Sequence, residues 1–396
     1  MPGPGAFLFG KEEADAAMEV LQKGYLFRYG SEDDPGFLHK VYSLEKEFAG
    51  YCRADYALAT SSGTASLLAS LKACGFKPGD EIIVPAYTFV ASYSSCIFAG
   101  LVPVLAEIDD SLTLDPDDIE RRITPSTKAI MPVHMLGNPC KMDEIMKIAR
   151  KHNLLVLEDC CQALGATYKG KKVGTIGNIG AFSLNIFKTI NTGDGGLVVT
   201  NDKKLYEKAF GFHDQGHKPL RTGVEVGDRD TIGLNFRMSE LTAAVALAQL
   251  GKADRIISIL RGKREKLKTL IAGTEGIRFR TLNDPLGDCA TLCTVIFDSA
   301  ETAAKVCKSL GTKTVDHSGW HVYSNMEHIL HYFKKIGQPH TKGAYPKTDD
   351  LLSRAVNISV GVVDGGLGAG WGINILSSDT EIEKTAEQFI QACKSA

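Results

Sequence analysis

The chain has 396 residues, 44% hydrophobic and 23% charged, with Lys+Arg 45 against Asp+Glu 47 for a formal net charge of −2. That length and apolar content suit two ordinary domains sharing a substantial core, and they exclude a disordered, fibrous or mini-protein chain. The near-neutral balance leaves no global field for wrapping nucleic acid or gripping an anionic membrane, and no stretch approaches the roughly 20 apolar residues of a membrane span.

The amino terminus, MPGPGAFLFGKEE, lacks the basic-then-apolar order of a signal peptide, so a cytoplasmic protein is expected. The densest basic run, Arg261 to Lys268, includes Glu265 and reads as a solvated helix face. The ten cysteines form no paired CxxC motifs, and Cys289 and Cys293 have no His or Cys cluster nearby; most are expected to be buried reduced thiols.

From Tyr56 to Asp202 short aliphatic runs alternate with longer amphipathic stretches, the pattern of βαβ units and a largely parallel sheet. The sequence predicts strands at 56–60 (YALAT), 81–86 (EIIVPA), 102–109 (VPVLAEID), 128–134 (KAIMPVH), 154–160 (LLVLEDC), 181–185 (AFSLN) and 195–201 (GGLVVTN). Helices are expected between the first five, over 63–74, 88–99, 115–123 and 141–152, with Asp, Ser and Thr at helix starts as N-caps. A short helix over 203–211 leads into 213–230 (HDQGHKPLRTGVEVGDRD), a long Gly/His/Lys-rich loop and therefore a candidate functional one. One long helix is expected from Ser239 to about Gly273. It joins a large domain, residues 1–250 with an N-terminal arm, to a small C-terminal domain within 251–396, where TLCTVIF and ISVGVV read as strands.

In an open parallel sheet, ligands bind beyond the carboxyl ends of the strands. Ser61-Ser62-Gly63-Thr64 follows the first strand and opens a helix, gathering backbone N–H groups, hydroxyls and the positive helix end into a phosphate cup. Glu158-Asp159 closes a strand, so one carboxylate points to the ligand side and the other away. An acid there, beside Gln162, suits a metal, a ribose or a protonated ring nitrogen. Lys188 lies in an apolar run just before Gly193-Asp194-Gly195-Gly196, a turn tight enough to hold it over the sheet. Desolvation there lowers a lysine's pKa and frees its amine for Schiff-base chemistry. With Ser183 and the aromatic in Tyr87-Thr88-Phe89, these parts form the set pyridoxal phosphate needs: an amine for its aldehyde, a carboxylate for its pyridinium, a flat cover and a phosphate anchor. No His/Asp/Glu cluster at ligand spacing coincides with the strand ends, since His213 and His217 lie in a Gly-containing loop, and no metal is expected.

The stretches SSGTASL, VPAYTFVAS, TKAIMPVHMLGNPCKMDEI, VLEDCCQALGATYKG, FSLNIFKTINTGDGG and GLNFRMSELTAAVALAQL resemble those of the DegT-type sugar aminotransferases, which are fold-type I pyridoxal phosphate enzymes. The resemblance runs from about Leu26 to Leu250. It implies an α/β, aspartate aminotransferase-like fold, with a mostly parallel central sheet flanked by helices and a smaller C-terminal α+β domain. It also implies that Lys188 carries the cofactor and Asp159 partners its pyridine nitrogen. Gln162 would contact the ring hydroxyl edge and Phe89 would stack on the ring. Gly63, Thr64 and Ser183 would hold the phosphate, joined by Asn235 from a second subunit. The family works as a homodimer with shared active sites, and the resemblance implies L-glutamate as amino donor and a carbonyl-bearing sugar or sugar acid as acceptor.

The opening MPG…LFG, the segment Phe27-Arg28-Tyr29, the HDQGH loop (213–217) and GLNFRMSE resemble members that make an amino sugar acid. On that likeness Arg28, His217 and Arg237 are candidate contacts for substrate carboxylates or hydroxyls, and Arg grips carboxylates bidentately. Three departures stand out. Asp194 replaces the Glu of the usual glycine-rich string, Cys160-Cys161 follows the key aspartate, and the likeness thins past residue 275. There Trp320 to Asn325 and YPKTDDLLSRAV would specify the substrate pocket, with His321 a further substrate candidate; packing in a small-domain core is the competing role for Trp320, His321 and Tyr323. Sugar dehydratases resembling this family carry histidine in place of the lysine, so Lys188 favours amino transfer over elimination. Intact Asp159, Gln162, Ser183 and Lys188 weigh against a non-catalytic cofactor-binding regulator.

Overall fold

The structure is a computed structural model that describes residues 3–219, 227 and 229–396; the middle of the expected 213–230 loop lies outside the described residues. Strands β1 (Tyr56–Thr60), β2 (Glu81–Pro85), β3 (Val102–Ala106), β4 (Thr127–Ile130), β5 (Leu155–Asp159), the small hairpin β6 (Thr167–Tyr168) and β7 (Lys171–Lys172), β8 (Ile179–Ser183) and β9 (Gly196–Thr200) follow in chain order. Seven of them form one sheet in the order β1-β9-β8-β5-β4-β2-β3. The β2–β3, β2–β4, β4–β5 and β5–β8 pairs are parallel, whereas β9 is antiparallel to both its neighbours.

The expected strands are all present, and the largest difference is at KAIMPVH. There the strand ends at Ile130, because Pro132 has no N–H to give a ladder and the chain turns out of the sheet toward the ligand side. Alternation along each strand fills both faces. Leu58, Val84, Leu157 and Val198 belong to one core; Ala57, Ala59, Leu197 and Val199 belong to another.

The helices are α1 (Pro4–Phe7), α2 (Lys11–Lys23), α3 (Lys40–Cys52), α4 (Gly63–Ala73), α5 (Ala91–Phe98), α6 (Pro116–Arg122), α7 (Met142–His152), α8 (Lys203–His213), α9 (Glu240–Leu250) and α10 (Ala253–Ile271). Side chains of Ser62, Asp115, Asp202 and Ser239 cap α4, α6, α8 and α9, as their residue types predict. The single helix expected over 239–273 is two. It breaks at Gly251-Lys252, where the Lys252 ammonium turns back to the carbonyl of Leu8 (3.0 Å) and the carboxylate of Glu13, tying down the N-terminal arm.

Beyond α10, β10 (Ile277–Phe279), β11 (Leu292–Phe297) and β12 (Ala355–Ser359) make a three-stranded antiparallel sheet that packs on α10 and α11 (Ala300–Leu310), and the C-terminal helix Asp379–Lys394 lies against those two helices. The ISVGVV strand is displaced toward the N-terminus. The N–H groups of Val360, Gly361 and Val362 all converge on the carbonyl of Thr291, which curls this segment out of the sheet and brings Val362 to the wall of a cavity. No described helix is long and apolar enough to cross a membrane. All ten cysteines are free thiols, and seven are buried.

Candidate active site

A cavity of about 460 Å³ opens at the carboxyl ends of β5 and β8 and the N-terminus of α4. Gly63, Thr64, Phe89, Asp159, Gln162, Ser183, Lys188 and His321 all line it, so eight of the residues singled out from sequence meet in one place.

At the first corner, Ser62 Oγ caps α4 by accepting the Ala65 N–H at 3.1 Å. The N–H groups of this first turn have no intrahelical partner and carry the positive end of the helix dipole. Only glycine fits at 63, since a Cβ would stand 2.6 Å from that of Ser183. The close approach sets the Ser183 hydroxyl beside the helix end, and together they fit a phosphate.

The adjacent acids Glu158 and Asp159 face opposite ways, as strand alternation requires. Asp159 lines the cavity, accepting from Ser92 Oγ (2.7 Å) and the Cys161 N–H (3.1 Å), while its own backbone pairs with Pro132 and His134. Glu158 is fully buried on the other side, accepting from the N–H groups of Gly174 (2.8 Å), Ile176 (2.8 Å) and Gly177 (2.6 Å) and from His134 Nε2 (3.0 Å). His134 Nδ1 accepts the Cys140 N–H, so the ring proton sits on Nε2 and points at Glu158. His134, Glu158 and Cys160 lie close enough together to suggest a metal site. Both carboxylate oxygens and both ring nitrogens are already committed, however, and the grouping works as a tie that fixes the strand end carrying Asp159.

Gln162 Oε1 accepts the Leu136 N–H at 3.0 Å, which leaves its NH2 group as the end presented to the cavity. Lys188 stands on the loop between β8 and β9. Leu184 closes the loop at its base by pairing with Gly195 and Thr192, and Asn185 Nδ2 reaches Asp194 Oδ1 at 3.3 Å. Burial lowers the Lys188 pKa from the ordinary value of 10.5, with Cys161, Asp159 and Asp364 opposing the shift. Phe89 is 40% exposed on the cavity side, and its ring lies 5.3 Å from that of His321. Burial, helped by the Lys188 charge, depresses the His321 pKa to about 3, so its imidazole is neutral; its Nδ1 shares a hydrogen bond with Ser318 Oγ at 2.8 Å.

Four expected residues lie outside this cavity. Arg28 is 4% exposed, with its guanidinium held by Glu45 Oε1 (3.0 Å) and His213 Nε2 (2.8 Å) between the rings of Tyr29 and Phe210. That burial corrects its assignment as a substrate contact. Arg237 pairs with Asp214 and packs over Phe27, and it does not line this cavity. His217 pairs through its N–H with the Asp214 carbonyl. Asn235 is exposed and accepts the Arg237 N–H.

The sequence did not single out Ser92 or Asp364. Ser92 lies one turn along from Thr88, and their hydroxyls meet at 2.7 Å. The signal for Asp364 is a lone acid followed by two glycines just past a strand. It lines the cavity with its Oδ1 accepting the Gly366 N–H at 2.8 Å.

GDP-perosamine synthase of Escherichia coli O157:H7 is 44% identical over 219 residues, 55% of this chain and 59% of that protein, so the match covers less than two thirds of the relative's length. The dTDP-3-amino-3,4,6-trideoxy-alpha-D-glucose transaminase of Streptomyces venezuelae is 31% identical over 357 residues, covering 89% of this chain and 88% of that one. The solved structure of GDP-4-keto-6-deoxymannose-3-dehydratase with a trapped PLP-glutamate geminal diamine matches with a TM-score of 0.79 at 25% identity, covering 96% of this chain and 98% of that one. The fold is that of the fold-type I enzymes, and the helix-end cup, Asp159, Lys188 and the exposed Phe89 face fit pyridoxal phosphate, the cofactor of that group. The pattern of the DegT/DnrJ/EryC1/StrS aminotransferase family matches residues 9–363, and the chain belongs to that family.

Proposed function

We propose that the protein is a pyridoxal phosphate-dependent aminotransferase that moves an amino group from L-glutamate to a carbonyl-bearing sugar or sugar acid. The observation that carries this reading is the convergence of Lys188, Asp159, Gln162, Ser183 and the Gly63-Thr64 helix end on one cavity. The bound cofactor supplies the electron sink that lets a proton leave the donor's Cα.

The chain's own groups do the rest. Lys188, whose ammonium form is disfavoured by burial, offers an amine that links to the cofactor and then takes and returns the Cα proton. Asp159, steadied by two donors, balances a protonated ring nitrogen. Gln162 orients the ring edge through its NH2 group, Phe89 covers the ring, and Gly63, Thr64 and Ser183 hold the phosphate. Neutral His321 adds a hydrogen-bonding wall without a charge. Residues 1–250 form the cofactor-binding domain and 251–396 the connecting helix and small domain. Two copies assemble as a homodimer, in which Asn235 reaches the partner's phosphate.

The acceptor is of the kind that yields 8-amino-3,8-dideoxy-manno-octulosonate or a related amino sugar, a class that includes the nucleotide-linked products named for the relatives. Elimination is the second reading, favoured by the likeness to a dehydratase. The intact amine at position 188 supports transfer.

The test is the visible absorption of the purified protein with pyridoxal phosphate. A yellow band that bleaches on L-glutamate while 2-oxoglutarate appears, and returns with a carbonyl sugar, is the expected result. A band that persists points to another donor or to elimination, and no band overturns the reading.

A further inference from the structure

Trp320 is 56% exposed. It lines the cavity that holds Lys188. Its backbone is fixed there. The Trp320 carbonyl accepts the Val90 N–H at 2.9 Å, the His321 carbonyl accepts the Thr88 N–H at 2.9 Å, and Val322 bridges to Tyr87. On the protein side the indole meets the His328 ring at 6.4 Å between centroids.

The charge around the indole narrows what it can hold. Among the described lining residues Asp159, Asp194 and Asp364 stand against the single amine of Lys188. A neutral ring with an apolar C–H face and several hydroxyls is well served, because the indole covers the face and a carboxylate accepts from the hydroxyls. Asp364 is oriented for this by the Gly366 N–H on its Oδ1.

We propose that Trp320 is the stacking platform for the acceptor's sugar ring and that Asp364 accepts hydrogen bonds from the ring's hydroxyls. The inference rests on the aminotransferase reading above and names the part of that site which selects the second substrate.

The test uses the holoenzyme and its Trp320→Ala, Trp320→Phe and Asp364→Asn variants. Each is first bleached with L-glutamate and then offered GDP-4-keto-6-deoxymannose or the 8-aldehyde of 3-deoxy-manno-octulosonate. Bleaching should proceed alike in the wild type and both Trp320 variants, which shows that these variants fold and load, and the band that forms with pyridoxal phosphate shows that Asp364→Asn folds and loads. Trp320→Ala should raise the acceptor KM about tenfold with kcat moved less, as expected when an aromatic anchor is truncated. Trp320→Phe should recover most of that loss, and Asp364→Asn should raise KM by a smaller factor.

A wild-type KM retained in Trp320→Ala overturns the stacking role and leaves the aminotransferase reading standing. GDP alone competing about tenfold less well in Trp320→Ala than in the wild type assigns the indole to the base, which also overturns the proposal. Failure of L-glutamate to bleach the wild type overturns the aminotransferase reading and this inference with it.

Discussion

The backbone N–H of Leu136 donates to Gln162 Oε1 at 3.0 Å, and that bond decides which end of the amide faces the cavity. Leu136 holds φ 57 and ψ 32, a left-handed conformation few leucines adopt. It is fixed there by Arg280 Nη2 (3.0 Å) and Thr291 Oγ1 (3.1 Å) on its carbonyl. Gln162→Glu keeps an acceptor for Leu136 but replaces the cavity-facing donor with an oxygen. Pyridoxal phosphate should then bind about tenfold more weakly, as read by equilibrium titration of the visible band. Unchanged affinity would show that the amide gives the cofactor nothing.

Ser92 is the hydroxyl donor to Asp159. A hydrogen bond to a buried charged group contributes about 1.5–3 kcal/mol, so Ser92→Ala should lower kcat on the order of tenfold while the glutamate KM changes little. A steady-state comparison settles it, and a change in KM alone would place Ser92 in donor binding.

Lys188 carries a pH signature. Its pKa is lowered by burial, so between that lowered value and 10.5 the unfolded chain binds more protons than the folded one. Stability of the cofactor-free protein therefore rises with pH across this window, and below it the full penalty of burying the ammonium is felt. Urea unfolding below and within the window should show the rise, and Lys188→Met should remove it. The same variant should lose turnover while still binding the cofactor non-covalently.

Two buried charges outside the cavity should matter for folding rather than chemistry. Glu158→Leu leaves three backbone N–H groups and the His134 Nε2–H without their acceptor, at about 1–3 kcal/mol each. Arg28→Met removes the buried cation paired with the Glu45 carboxylate and should destabilise by about 3–5 kcal/mol. Urea midpoints measure both. Folded Arg28→Met should keep its cofactor band, and losing the band in folded protein would return Arg28 to the site.

The cofactor half of the site was legible because each of its parts sits where a βα unit puts it. Asp159 ends a strand, Gly63 opens a helix, and Lys188 lies on the loop just past a strand end, positions fixed by local periodicity. Arg28 could not be placed from sequence because Glu45 and His213, 17 and 185 residues away, decide its fate together. The break at Gly251-Lys252 answers to an arm some 240 residues earlier. ISVGVV has strand composition throughout, but the Thr291 carbonyl draws off three of its N–H groups. Asp364 was invisible for a related reason: it reaches the cavity through that curl.

The bonds that hold Trp320 join Ala86, Thr88 and Val90 to Tyr323, His321 and Trp320 in a short ladder. Phe89 and Trp320 are thus mounted on the two rails of one rigid frame, although 231 positions separate them in the chain. A backbone shift on one rail is therefore passed to the other. A backbone change that seats the acceptor at Trp320 is thus also a change in the mount of the ring that covers the cofactor.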